Sequence, residues 1–469
     1  MGDDPRTPDG ADRVAPSHVT PLPEPSDGLL SRLFLIEQAR HRIDAQYYLW
    51  DSDAVGSLLL EGLIGSADRG VAVRLLVDDL KLRSRSRSIA ALCLHPNIEI
   101  RVFNRFRWRG DVVGQGLEFL FRFQKLDHRM HNKLIICDGV RAVVGGRNVA
   151  DEHYGLATTC NLVDFDVLLE GPTVTALTEV FERYWASPAA SPGSSLSRSV
   201  THADLRAARR HVAEELAKRR TVLSGVLGEQ AAWTGRVERT RRPLRDGAVA
   251  VASDAPAVTG GAEPDQVIAA LHDAVDRARG DIIIVTPFFV PGENDVDWYR
   301  TLTGRGLRLR LLTNSLASNP GTVSNSGLDE ERAAVVEAGV ELYELCPDAA
   351  TKPMWDTHPR VSRYLGLHAK LYVVDRETLI VGSVNLDPRS KFVNTEIAVS
   401  IEDSGLATDA ARAIAVLMRP ENAWRVEIAL DGRLRWRRGN RARYRQPSRS
   451  AAQRIADRIF SLLPIDDYI

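Results

Sequence analysis

Five residues recur at one fixed offset. His131, Lys133, Asp138, Gly145 and Asn148 lie in HNKLIICDGVRAVVGGRN; His368, Lys370, Asp375, Gly382 and Asn385 lie in HAKLYVVDRETLIVGSVN, 237 positions later. From the frequencies of these residue types, a chance second copy has odds on the order of 10⁻⁵. A lone His-x-Lys would mean little, and a duplicated but inert fold is the bland alternative. The residue types suit one chemistry. A phosphodiester offers an electrophilic phosphorus and two non-bridging oxygens. Lys ammonium and Asn amide groups donate to those oxygens as charge grows in the transition state. One His attacks phosphorus and the other protonates the leaving alcohol, both near neutral pH. One copy alone is then half an active site.

The elements that must position these residues are short hairpins. KLIICDGVRAVVGG is two apolar runs joined at Asp138-Gly139, a hairpin signal. A two-residue turn at Gly139-Val140 pairs Asp138 with Arg141 and sets His131 opposite Asn148. The same count from Arg376-Glu377 sets His368 opposite Asn385. Alternation puts His131 and Lys133 on one face. Asp138 and Asp375 fall at the far ends, roughly 23 Å from their histidines at about 3.3 Å per residue, where a turn role is expected. A histidine nucleophile needs an acceptor on its other ring nitrogen. VDFDVLLEGP offers Asp164, with Asp166 beside it, and VNTEIAVSI offers Glu396. His128 and His153 find no counterpart in the second copy and read as structural or substrate-side residues.

Around the hairpins the chain repeats a βαβ rhythm, which predicts largely parallel sheets covered by helices. RGVAVRLLVDD and RGLRLRLLTNS match in register, so the duplication covers a whole domain. The fold class is α/β: two duplicated halves with pseudo-twofold symmetry and the active site at their interface. The expected divisions are a disordered tail (1–26), the first half (27–186), a linker and helical insert (187–260), the second half (261–418), and a C-terminal hairpin, basic loop and helix (419–469). The hairpin is placed at Asp431-Gly432.

Composition narrows the class. Apolar content of 44%, charged content of 26% and a net charge of −1 describe a globular chain without the basic excess of a sequence-independent nucleic-acid binder. Four scattered cysteines without CxxC form neither a disulfide framework nor a zinc site and suit a reducing compartment. The Pro- and Gly-rich N-terminus does not read as a secretory signal, and no run of 18 apolar residues predicts a transmembrane helix. Only 7 of the 61 basic residues are Lys, and Lys133 and Lys370 are two of them. RVFNRFRWRG interleaves Arg101, Arg105, Arg107 and Arg109 with Phe103, Phe106 and Trp108, and the tail has Arg433, Arg435, Arg437, Arg438, Arg441, Arg443, Arg445 and Arg449. Both stretches suit an anionic lipid interface, or else are solvated basic loops.

Both motifs resemble the HKD motif of the phospholipase D superfamily, here HxKx4Dx6G(G/S)xN. QYYLW, RGVAVRLLVDD, RMHNK, GGRNVADEHYG, TPFFVPG, LLTNSLA, GSVNLDPRS and NTE are most similar to the bacterial cardiolipin synthases of the C type. The resemblance implies phosphatidyl transfer through a phosphohistidine, with no metal and no cofactor. His131 would be the nucleophile and His368 the acid and then the base. Asp138 and Asp375 belong to the family's catalytic motif. Lys133, Lys370, Asn148 and Asn385 would hold the phosphate, and Asp164 and Glu396 would orient the histidines. The implied partners are phosphatidylglycerol, or phosphatidylethanolamine as donor, and a peripheral membrane surface, cytoplasmic and on the inner face of the cell membrane. No nucleic acid is expected, and the sequence leaves the oligomeric state open. A hydrolase releasing phosphatidic acid would use the same residues; a nucleic-acid phosphodiesterase and a non-catalytic lipid scaffold are more distant alternatives.

Overall fold

The two motif hairpins lie inside two matching sheets. The computed structural model describes residues 17–82, 85–106, 128–256, 266–320 and 331–460. The first sheet runs Arg242–Pro243, His18–Leu22, Asp166–Glu170, Arg141–Gly145, Lys133–Cys137, Arg42–Tyr47, Ala72–Asp78, Ile98–Phe103, Ala190–Pro192. The second runs Val249–Ser253, Ile397–Glu402, Thr378–Gly382, Leu371–Val374, Asp281–Val285, Arg308–Asn314, Glu341–Leu345, Ala423–Ile428, Leu434–Arg438, Arg441–Arg443. From Asp166–Glu170 to Ala190–Pro192 each strand has its counterpart in the second sheet, in the same order.

The sheets are mixed, which corrects the expectation of largely parallel ones. In each half three strands pair in parallel, Arg42–Tyr47 with Ala72–Asp78 and Ile98–Phe103, and Asp281–Val285 with Arg308–Asn314 and Glu341–Leu345. The motif hairpin joins that trio antiparallel on one side. A motif that is itself a hairpin cannot extend a parallel ladder.

Helices lie outside and between. One core joins the inner faces of both sheets through the helices Val174–Trp185 and Ser404–Leu417, with Leu134, Val144, Phe181, Leu371, Val381 and Ile414 among its members. The outer face of the first sheet packs on Pro25–Gln38 and Ala54–Asp68, that of the second on Gln266–Asp276 and Glu293–Gly304. The shared core makes the halves one body with the motifs at its middle.

Three segments depart from their expected roles. His18–Leu22, inside the expected tail, pairs antiparallel with Asp166–Glu170. Its anchor is the buried Arg147, which donates to Leu22 O at 2.8 Å and Pro23 O at 2.8 Å while facing Asp166. The expected flexible stretch after Trp185 adds Ala190–Pro192 to the first sheet, because its backbone groups pair with Ile98–Phe103. The insert packs its helices His202–Lys218, Arg220–Gly228 and Gln230–Thr240 against the first half, burying Leu223, Val226 and Trp233, and then passes Val249–Ser253 to the second sheet. The hairpin at Asp431-Gly432 forms as expected, with Gly432 N on Ala429 O at 2.9 Å.

The basic stretches are largely occupied within the fold. Arg101 stacks on Trp185 at 4.5 Å, and Phe103 and Phe106 are buried; Arg107, Trp108 and Arg109 lie outside the described residues. In the tail Arg433 pairs with Asp431, Arg435 and Arg437 with Glu427, and Arg438 with Asp348. Arg449 bonds Ala317 O and stacks on Tyr364 at 4.0 Å.

Candidate active site

The ladder in each hairpin is shifted by one residue from the expected register. Cys137 pairs with Arg141, and Val374 with Thr378, so the turns span three residues. Asp138 and Gly139 have φ of 54° and 69°, and Asp375 and Arg376 of 53° and 57°, so both copies turn through the left-handed region. On this register His131 no longer faces Asn148, nor His368 Asn385.

Asp138 and Asp375 sit at those turns, away from the histidines. Asp138 accepts from Arg40 N, His41 N and Arg42 N at 2.9, 2.8 and 2.8 Å. Asp375 accepts from Arg279 N, Gly280 N and Asp281 N at 2.8, 2.8 and 3.0 Å. The family motif groups them with the catalytic residues; here each ties the hairpin to the start of the neighbouring parallel strand. Asp138→Ala is expected to cost about 2 kcal/mol of stability, since charge-assisted bonds are lost, with turnover within about twofold of wild type. Denaturant melts beside rate measurements check both.

Two inter-half contacts bring the reacting groups together. Tyr364–Leu367 pairs parallel with Cys160–Val163, ending at Leu367 opposite Val163. The next residues are His368 and Asp164, and His368 Nδ1 lies 2.8 Å from Asp164 Oδ2. On the other side Met130 bridges Thr395 in parallel, His131 N donates to Thr395 O at 2.9 Å, and His131 Nδ1 lies 2.9 Å from Glu396 Oε2. Each histidine is therefore held by the carboxylate of the opposite half. With Nδ1–H on a carboxylate, Nε2 of each ring is left for substrate, as a lone pair in the neutral imidazole and as a proton in the imidazolium.

The lysines and asparagines surround this pair. Lys133 and Lys370 are buried, and their ammonium groups donate to His131 O and to His368 O. Asn148 and Asn385 are buried, with Oδ1 of each lacking a protein partner. Tyr48, beyond the expected set, sets its ring edge-on to His131 at 5.0 Å.

The glycines follow from this crowding. A Cβ on Gly146 would stand 2.1 Å from Asp164 Oδ1. Ser383 holds the equivalent place in the second half, and its Oγ donates to Glu396. Ser390 Oγ donates to the same carboxylate at 2.7 Å, and Glu396 N to Asp254 Oδ2 at 2.9 Å. Ser383, Ser390 and Asp254 were not among the expected site residues, because small polar residues in loops carry no periodic signal. His128 contacts Val393 O of the other half at 2.6 Å.

Electrostatics separate the two half-sites. Burial, with Lys133 and Lys370 nearby, holds the His131 imidazole well below its usual range. Burial and Lys370 do the same to His368, against Asp164. Burial brings Lys370 down to about 8 and also depresses Lys133. It pushes Glu396 up to about 7, against Lys133 and the two serine hydroxyls. Burial penalises Asp164 too, but His368 and His153 outweigh it and hold that carboxyl well below its usual range. The site thus has one firm anion and one weak one, each beside a different histidine.

The family model described as "Cardiolipin synthase, PLD-like domain" matches residues 33–185 and 271–417, one segment in each half. Cardiolipin synthase C of Escherichia coli (strain K12) is 31% identical over 458 residues, covering 95% of this chain and 95% of its own. Cardiolipin synthase A of Cronobacter sakazakii (strain ATCC BAA-894) is 26% identical over 402 residues, 82% of this chain and 66% of its own. The phosphatidylserine synthase structure from Haemophilus influenzae Rd KW20 shares the fold with a TM-score of 0.55 at 14% identity, covering 85% of this chain and 86% of its own. Both halves match and the motif residues meet between them: the chain belongs to the family of cardiolipin synthases with PLD-like domains.

Proposed function

We propose that the chain transfers a phosphatidyl group from phosphatidylglycerol or phosphatidylethanolamine to a hydroxyl of phosphatidylglycerol. His131 Nε2 attacks phosphorus and forms a phosphohistidine, while His368, as the imidazolium paired with Asp164, gives its Nε2 proton to the departing glycerol or ethanolamine oxygen. His368 then takes the proton of the acceptor hydroxyl, whose oxygen attacks phosphorus and releases His131. Lys133, Lys370, Asn148 and Asn385 donate to the phosphate oxygens, the two buried amides through their Nδ2 groups. The observation that carries the reading is the crosswise holding of His131 by Glu396 and of His368 by Asp164, which gives two oriented imidazoles in one site.

Purified protein with phosphatidylglycerol vesicles, with and without phosphatidylethanolamine and in EDTA, is expected to form cardiolipin detectable by mass spectrometry. A rise with phosphatidylethanolamine identifies that lipid as donor. Phosphatidic acid alone would make the chain a hydrolase, and loss of turnover in EDTA would overturn the metal-free scheme.

A lipid substrate brings a membrane surface with it. Among the described residues no helix is long and apolar enough to cross a membrane. Several exposed large apolar side chains lie in segments that leave the motif end of the sheets, while Val140 and Leu430 lie at the opposite end. Leu80 follows Ala72–Asp78, Met354 and Val361 follow Glu341–Leu345, and Phe392 follows the second motif. Ile455 lies on the last helix, whose Gln453 side chain docks on Leu316 O at 2.6 Å, just past the parallel strand Arg308–Asn314. We take this rim as the surface that meets the bilayer, on the inner face of the cell membrane, where unpaired cysteines are at home. Combined Met354→Glu, Val361→Glu and Phe392→Glu is expected to weaken vesicle binding at least about tenfold, since each buried apolar side chain contributes about 1.5 kcal/mol or more. Turnover of soluble short-chain phosphatidylglycerol should stay within about threefold. Sedimentation with vesicles and the short-chain assay separate the two effects.

A further inference from the structure

Carried past the motif, the 237-residue offset pairs His153 with Ser390. By residue type His153 has no counterpart, because imidazole and hydroxyl share no side-chain chemistry that a motif would show. In the structure they have the same place. Ser390 Oγ receives Asn385 N at 3.1 Å and donates to Glu396 Oε1 at 2.7 Å, and Glu396 holds His131. His153 Nε2 lies 3.4 Å from Asn148 Nδ2, His153 Nδ1 lies 2.9 Å from Asp164 Oδ2, and Asp164 holds His368. Each chain of contacts runs from the motif asparagine, through position 153 or 390, to the carboxylate and then to the histidine of the other half.

Only one tautomer satisfies both neighbours of His153: Nδ1–H donates to Asp164, and Nε2 accepts from the Asn148 amide. Its ring also stands edge-on to His368, with centroids 4.6 Å apart at 84°. His153 is 1% exposed, so water does not replace it as a donor. Asp164 Oδ1 is taken by Phe165 N at 2.9 Å, which leaves Oδ2 to serve the two imidazoles.

We propose that His153 is a positioning residue for the acid–base histidine. It fixes Asp164 as an acceptor, locks the orientation of His368, and ties both to the asparagine that holds the phosphate. This rests on the reading in which His131 attacks phosphorus and His368 exchanges protons with the alcohols. The duplicated site has thus diverged at this position as well as at Gly146 and Ser383: a hydroxyl supports the nucleophile, and an imidazole supports the acid.

The test compares two leaving groups in the full-length protein. A phosphatidylglycerol donor needs a proton from His368 as its glycerol departs; phosphatidyl-p-nitrophenol releases its phenolate without one. His153→Phe is expected to slow turnover of phosphatidylglycerol about 100-fold, in kcat and not KM, as loss of general acid catalysis does. First-turnover release of p-nitrophenol should fall less than about fivefold. His153→Asn, whose amide nitrogen replaces Nδ1 as donor, should recover phosphatidylglycerol turnover to within about fivefold of wild type. If His153→Phe does not fold, His153→Gln takes its place, because its amide reaches the Nε2 position and misses Asp164. Equal losses on both substrates, or no loss on either, overturn the inference alone. No p-nitrophenol release by the wild type would overturn the proposed function and this inference with it.

Discussion

His131→Ala is expected to abolish cardiolipin formation, a loss of at least about 10⁴-fold, because no second nucleophile can carry the phosphatidyl group. His368→Ala should fall comparably with phosphatidylglycerol, since both the departing and the entering alcohol need it. The two variants part on phosphatidyl-p-nitrophenol. His368→Ala keeps an attacking imidazole, held by Glu396 at 2.9 Å, and should release about one equivalent of p-nitrophenol before stopping as the phosphohistidine. His131→Ala should release none. Rapid-mixing absorbance with acid-quench detection of phosphorylated protein reads both. A burst from His131→Ala and none from His368→Ala would reverse the assignment. Asp164 and Glu396 make the outcome specific, because each variant leaves the other half-site's histidine–carboxylate pair in place.

The pH dependence of kcat/KM should be a narrow bell, and each limb has a named origin. Glu396 must be ionised to accept Nδ1–H of His131, and burial has pushed it up to about 7. Activity that needs its anion is present above that value and is lost as pH falls through it. Lys370 must be protonated to meet the phosphate, and burial has brought it down to about 8. Activity that needs its cation is present below that value and is lost as pH rises through it. Burial holds both imidazoles well below their usual range in the free enzyme, while the firm Asp164 anion opposes that shift at His368, the residue that must carry a proton to the leaving alcohol. In kcat the alkaline limb should move upward, because the bound phosphodiester stabilises the ammonium. Glu396→Gln should remove the acid limb and lower kcat/KM about 10³-fold near pH 7.5, since an amide cannot fix the same tautomer so firmly. An unchanged acid limb in Glu396→Gln would assign that titration to another group.

The amino-acid sequence by itself determined the reacting residue types, their duplication and the elements that carry them. Fixed spacing survives in the linear chain, and the hairpins, the amphipathic helices and the turn at Asp431-Gly432 are local periodic signals. Asp138 and Asp375 were legible as turn residues for the same reason. Register was legible only to within one residue, because two left-handed positions in each turn lengthen the loop without changing composition. The strands His18–Leu22 and Ala190–Pro192 were not legible, since their partners are distant and their proline content argues locally against a strand. Only the tertiary structure decided which carboxylate serves which histidine. The choice lies in two parallel contacts, Leu367 with Val163 and Met130 with Thr395, between segments more than 200 residues apart. Such contacts depend on how two sheets share one core, and no spacing along the chain records that.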